Sequence, residues 1–239
     1  MRNYSECSLT HGSDRLAALL GIASAIQRKT GWDFTAGLWL PYFLRDMLWC
    51  TLHTSTYSGV GPSWSWISTM EKVFVCSGDH SQLRELAEVF VPEESIVGCV
   101  SLTATADKPL TLPIYVTSIA LEVDNALGVP GSFKNFIGDG KKVRYDRKER
   151  LLAEYFLLMS EGSWHDDYDS LYFLVIASSG VVEGAFERIG YWEQGMEKQG
   201  GSRKGSTESE IELYYGPLAS RGWLDNILAT GERRTFTLV

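Results

Sequence analysis

The sequence has no surplus of positive charge: 22 Lys and Arg stand against 30 Asp and Glu, for a formal net charge of −8. Phosphate backbones and anionic lipid surfaces are bound through clustered Lys and Arg, so neither nucleic acid nor membrane is expected as a partner. Long apolar runs are also missing. The longest, Leu171 to Ala177, falls far below the roughly 20 residues a bilayer-crossing helix needs. Met1-Arg2-Asn3-Tyr4-Ser5-Glu6 leads into polar sequence with no apolar signal-peptide core, which points to a soluble, cytoplasmic chain. Cysteine is scarce and unpaired in pattern. Cys7, Cys50, Cys76 and Cys99 show no C-x-x-C spacing, and Cys50 and Cys99 stand beside Trp49 and Val100, which reads as buried free thiols.

The local signatures of catalysis are missing as well. There is no G-x-S-x-G, no H-E-x-x-H and no G-x-G-x-x-G after a strand, and His11, His53, His80 and His165 have no partner at ligand spacing. Gly138-Asp139-Gly140-Lys141-Lys142 lacks the spacing of a phosphate-binding loop and reads as a turn. Trp164-His165-Asp166-Asp167-Tyr168-Asp169 offers oxygen ligands, but one tight acidic cluster reads as an exposed loop. The expectation is a protein that is not an enzyme, with no catalytic, cofactor-binding or metal-binding residues.

What is present is hydrophobic bulk, 44% of residues, and tryptophan in unusual density. Trp32, Trp39, Trp49, Trp64 and Trp66 crowd the first third of the chain. Such a cluster can line a sugar-binding cleft; it more often closes a core between two layers, where an indole buries a large apolar area once its N–H finds a partner. The centre of the pattern is Gly61-Pro62-Ser63-Trp64-Ser65-Trp66. Pro62 fixes its own φ and restricts Gly61, so Pro62 to Ile67 reads as a core strand entered from a turn, with Trp64 and Trp66 on one face.

The rest of the chain falls into place around that stretch. Ser13 or Asp14 caps a helix to about Lys29, with Leu16, Leu19, Leu20, Ala23 and Ile26 on one face and Gly31 as its stop. Thr35 to Trp39 reads as a bend, and Pro41 to Cys50 as a second helix. Lys72 to Cys76, Glu85 to Val91, Gly98 to Ala106 and Leu110 to Ser118 read as strands, the last two joined by a hairpin at Asp107-Lys108-Pro109. Residues 124 to 140 read as loop, and the basic run Lys141 to Arg150 as a charged edge strand and loop. Leu151 to Met159 and Leu171 to Ala177 read as central strands. Ala185 to Trp192 reads as a further strand bulged near Gly190, and Gly195 to Ser209 as a surface loop. Gly216-Pro217 opens a last helix through about Ala229, and Arg233 to Val239 closes the chain as a strand. The sum is an α+β fold in a single domain: a helical front over 1–60, a β-rich body over 61–239 forming an antiparallel sandwich or partly closed barrel, and a short C-terminal helix.

Several of these blocks, in this order, carry a resemblance. Tyr4-Ser5, Leu9-Thr10, Asp14-Arg15-Leu16-Ala17-Ala18-Leu19 with Gly21-Ile22-Ala23, Ala36-Gly37-Leu38-Trp39, Leu48-Trp49 and Pro62-Ser63-Trp64-Ser65-Trp66 are similar to the region downstream of the conserved domain in fungal heterokaryon incompatibility (HET domain) proteins. Phe186-Glu187-Arg188-Ile189-Gly190 resembles that family's aromatic-x-Arg-Ile/Val-Gly strand, and Glu232 to Val239 its closing strand. The resemblance is strong over the first 66 residues and loose from about 80 to 160. It implies a setting of self/non-self recognition and programmed cell death, with protein partners. The HET domain itself is not in this chain, so none of its functional residues is carried over. By this resemblance the chain is a downstream half, encoded separately or left by a gene model that lost its first part, the second favoured by Met1 falling just before Tyr4-Ser5. The expected function is a non-catalytic accessory or regulatory module. The alternative is a sugar-active hydrolase or sugar-binding domain using the tryptophan cluster.

Overall fold

The structure, a computed structural model, describes residues 2–5, 7, 14–51, 53, 61–75, 83–90, 119–128, 143–145, 154–162, 168–197, 220–230 and 232–239. A short α1 (Arg2–Ser5) precedes α2 (Asp14–Thr30). Helix α2 ends as its sequence dictates. Arg28 and Lys29 sit in the last turn, and Gly31 takes a φ of +73° while its N–H reaches the Gln27 carbonyl at 2.7 Å. Its buried face is narrower than the periodicity suggests. Arg15 and Ala23 are buried and Leu16 and Leu19 pack on the core, but Ile26, expected on the core face, is exposed along with Ile22.

Residues 34–39 form a hairpin rather than an open bend: β1 (Phe34–Thr35) and β2 (Leu38–Trp39) pair across Ala36 and Gly37, both at positive φ, as a two-residue hairpin turn of the right twist requires. The helix expected over Pro41 to Cys50 is cut short. A 3-10 turn at Leu40–Tyr42 leads into α3 (Phe43–Asp46), and Trp49–Thr51 instead form β3, paired with β4 (Val73–Val75). Trp, Cys and Thr are poor helix formers, and the ladder to β4 supplies the hydrogen bonds a helix would have offered. The described part of residues 1–60 thus carries three short strands besides its helices, and the β3–β4 pair links it to the body.

Pro62 to Ile67 is not a strand. It is a turn followed by a 3-10 turn at Trp66–Ser68. The serines explain the difference: the Ser65 N–H donates to the Pro62 carbonyl at 3.0 Å, the Ile67 N–H donates to Ser65 Oγ at 3.2 Å, and Ser68 Oγ donates to the Ser65 carbonyl at 2.7 Å. Local side-chain bonds of this kind offer the backbone an alternative to a ladder.

The body is one eight-stranded sheet, mostly antiparallel, built from β5 (Leu83–Glu85), β6 (Ala87–Phe90), β7 (Ile119–Gly128), β8 (Val143–Tyr145), β9 (Tyr155–Gly162), β10 (Tyr168–Ser178), β11 (Phe186–Glu197) and β12 (Glu232–Leu238). Its order is β5-β9-β10-β11-β12-β7-β6, with β8 on β11. Strand β7 also pairs with β9, through Ala126 opposite Leu157, so the path from β9 to β7 returns on itself. The β11–β12 seam is held by a single parallel pairing, Phe186 with Leu238. The sheet is therefore a partly closed barrel within an α+β fold.

Several strand boundaries differ from the sequence reading. The run Glu85 to Val91 splits at Leu86, and its two parts pair with β9 and β7. Strand β7 covers the start of the expected 124–140 loop, Tyr168 and Asp169 belong to β10, and β11 runs on to Glu197 into the expected loop at 195–209. The expected strands 98–106 and 110–118 with the hairpin between them, most of the basic run, most of the 195–209 loop, and His11, His80 and His165 lie outside the described residues. The bulge expected near Gly190 is present: Val175 faces Gly190 and Ile176 faces Arg188, which leaves Ile189 as the extra residue.

Strand β10 is buried on both faces. Tyr172, Leu174 and Ile176 face a core shared with the N-terminal elements, while Leu171, Phe173, Val175 and Ala177 face a second core closed by α4 (Arg221–Thr230) through Leu224. Ser220 Oγ accepts the Trp223 N–H at 3.2 Å where α4 begins. The cysteines do not match the expected buried free thiols. Cys7 is exposed, Cys50 is buried and disulfide-bonded, and Cys76 and Cys99 lie outside the described residues.

Candidate functional site

Trp49, Trp64 and Trp66 gather at one hub, and the chain itself occupies the polar edges of Trp49 and Trp66, while the buried Trp64 Nε1 has no hydrogen-bond partner among the described residues. Trp49 Nε1 donates to the Trp64 carbonyl at 3.0 Å, and Trp66 Nε1 donates to the Gly37 carbonyl at 2.9 Å. Ser65 Oγ donates to the Ala36 carbonyl. Trp49, Trp64 and Trp66 are at most 2% exposed, so no face of theirs is open to a ligand. Phe43 tilts against Trp64 at 5.3 Å, and Tyr4 meets Trp66 edge to face at 6.0 Å.

Two buried arginines tie the hub to the rest of the molecule. Arg188, on β11, donates to the carbonyls of Met47 and Trp49 and lies 3.7 Å over the Trp49 ring. Arg15, on α2, donates to the carbonyls of Thr69 and Ser5 and lies over Trp66 at 5.4 Å. The planar guanidinium can both stack on an indole and fork to two carbonyls, which lysine cannot do. Burial pulls Arg15 below its ordinary value, with Tyr4 and Cys7 opposing. Ser63 extends the same network to the sheet: its N–H and Oγ donate to the Val239 carbonyl, and its Oγ accepts the Arg188 N–H at 2.9 Å.

Trp32 and Trp39 are the half-buried members of the cluster. Trp32 meets Trp39 at an interplanar angle of 68° and Tyr42 at 88°, so they form an edge-to-face stack and not a flat platform.

Beside Tyr42 the covering segment and the sheet leave a cavity of about 300 Å³, lined by Tyr42, Leu44, Arg45, Leu83, Glu85 and Ser160. The sheet wall is set by register, since Glu85 lies opposite Ser160 and Leu83 opposite Gly162. A Cβ at Gly162 would stand 2.8 Å from Leu83 Cδ2 and 3.1 Å from Tyr172, so a larger residue there would push the Leu83 side chain aside. On α3, Arg45 is fixed by Nε and Nη2 donating to Asp46 Oδ1 at 3.0 and 2.9 Å and by its guanidinium lying 4.2 Å over Tyr42. Ser160 is buried and its Oγ has no hydrogen-bond partner among the described residues. This cavity was not legible in the sequence. Its residues come from three separate segments, and no one of them carries a local signature.

Among the described residues no group of His, Cys, Asp and Glu is placed to hold a metal, and no described helix is long and apolar enough to cross a membrane. Known protein families, curated proteins and solved structures contain no match to this chain.

Proposed function

We propose that this chain is a non-catalytic accessory or regulatory module of the fungal heterokaryon-incompatibility type, acting through protein contacts beside a HET domain in the cytoplasm. The observation that carries the reading is where the resembling blocks meet. Tyr4-Ser5 and Asp14-Arg15-Leu16 reach the hub through Arg15, Ala36-Gly37 through the carbonyls that hold Ser65 and Trp66, Leu48-Trp49 through the Trp49 indole, and Phe186 to Gly190 through Arg188. Blocks from opposite ends of the chain serve one framework, which suits a module that presents a fixed surface to other proteins.

The sugar-active alternative draws no support from the same residues. The Trp49, Trp64 and Trp66 rings are buried, and the half-buried Trp32 and Trp39 are not coplanar. In a reducing cytoplasm the Cys50 disulfide persists only if shielded from the thiol pool, and Cys50 is 1% exposed.

Expression in a fungal host tests the proposal. These residues alone should produce no growth arrest, and the same residues joined to a HET domain should change the strength or the partner dependence of the arrest it triggers. Arrest by the isolated chain would overturn the reading and place an activity within these residues.

A further inference from the structure

Three polar groups around the cavity between α3 and the β5–β9 edge are left unspent by the fold. Ser160 Oγ is one, on a residue only 3% exposed. The Glu85 carboxylate is the second: it stands at the rim directly opposite Ser160 in the ladder and makes no ion pair among the described residues. The third is Arg45 Nη1, since Asp46 takes the other edge of that guanidinium. Arg45 and Glu85 both line the cavity, from α3 and from β5, and no ion pair joins them. A buried hydroxyl without a partner costs about 1–3 kcal/mol, so its retention beside a cavity points to a ligand that satisfies it.

We propose that this cavity binds a free amino acid. Directly opposed residues on an antiparallel pair hold their Cβ atoms about 5 Å apart, which lets Glu85 and Ser160 accept together from one ammonium group. Arg45, clamped in place on α3, meets the carboxylate with Nη1. Leu44, Leu83 and the Tyr42 ring take the side chain. The volume lies at the lower end of the roughly 300–1,000 Å³ common for small-molecule sites, which suits a ligand of this size. A simple anion would meet the Glu85 carboxylate and a simple cation would meet Arg45, so a molecule carrying both charges matches the lining best. This site stands apart from the proposed role in incompatibility, and its failure would leave that role untouched.

Titration calorimetry on the full chain with each free amino acid, and with the N-acetyl and amide derivatives of any that bind, tests the site. At least one free amino acid should bind, and both of its derivatives should bind about tenfold more weakly or worse, as loss of one charge-assisted contact implies. Glu85→Gln should weaken the free amino acid about tenfold while leaving the N-acetyl form unchanged, and Ser160→Ala should weaken both. Glu85 lies at the rim, so its variant reads the site even if Ser160→Ala folds poorly by circular dichroism. Absence of binding by every free amino acid at millimolar concentration, or binding that neither substitution alters, overturns the proposal.

Discussion

Gly37 shows how much one position can carry. Its φ is +90°, and a Cβ there would stand 2.9 Å from Trp66 Nε1 and 3.1 Å from Ile67 Cγ2. The missing side chain is what lets the Trp66 indole reach the Gly37 carbonyl. Gly37→Ala should therefore destabilise by at least about 2 kcal/mol, through the left-handed backbone and the displaced indole together, as a denaturant melt would read. Tyr4 makes a second residue-scale prediction. Its hydroxyl donates to the Arg15 carbonyl at 2.7 Å, and burial pushes the phenol above its ordinary range, against the pull of the Arg15 charge. A folded state that favours the neutral phenol has its full contribution below the unfolded value of about 10 and loses it as pH rises through the folded value. Stability measured from pH 9 upward should fall more steeply for the wild type than for Tyr4→Phe, whereas equal slopes would remove Tyr4 from the account.

At the scale of elements, α4 is attached through a few identifiable contacts. Leu224 anchors it in the second core, Trp223 meets Phe173 edge to face at 6.5 Å, and Arg221 bonds Glu161 of β9 at 2.6 Å. That bond and the Glu161 charge raise Arg221 above its ordinary value, only partly offset by burial. Because Arg221 is partly solvated, the pair is worth little globally and acts on the helix locally. Glu161→Gln should speed amide exchange in α4 while leaving β10 protected; unchanged exchange in α4 would show that the apolar contacts suffice.

The elements also mark what the sequence made legible. Helix α2, the doubly buried β10, the bulge beside Gly190 and the closing strand β12 follow from period, composition and glycine placement, which are local signals. The Pro62 to Ile67 turn did not, because two indoles flanking a small residue look alike in a strand and in a turn whose serines bond their own backbone. Strand β3 was hidden by a proline-led, amphipathic opening that the fold uses for only one turn of α3. Of the candidate cavity nothing was visible, since Ser160, Glu85 and Arg45 become neighbours only through the register of β5 on β9 and the seating of α3.

For the molecule as a whole, two cores back onto the same central strand, and the N-terminal segments close one of them through the hub. Arg188 and Ser63 bridge hub and sheet, so the N-terminal segments are placed as framework and not as an open recognition face. Trp64, fully buried and against Phe43, lies at the middle of that arrangement. The denaturant melt of Trp64→Ala, read beside partner and sugar binding, tests this most directly. The account predicts a loss of about 3–5 kcal/mol, a large part of the roughly 5–15 kcal/mol that a domain of this kind holds. A variant that melts like the wild type and has lost only its binding would contradict it and make the tryptophan cluster a binding face.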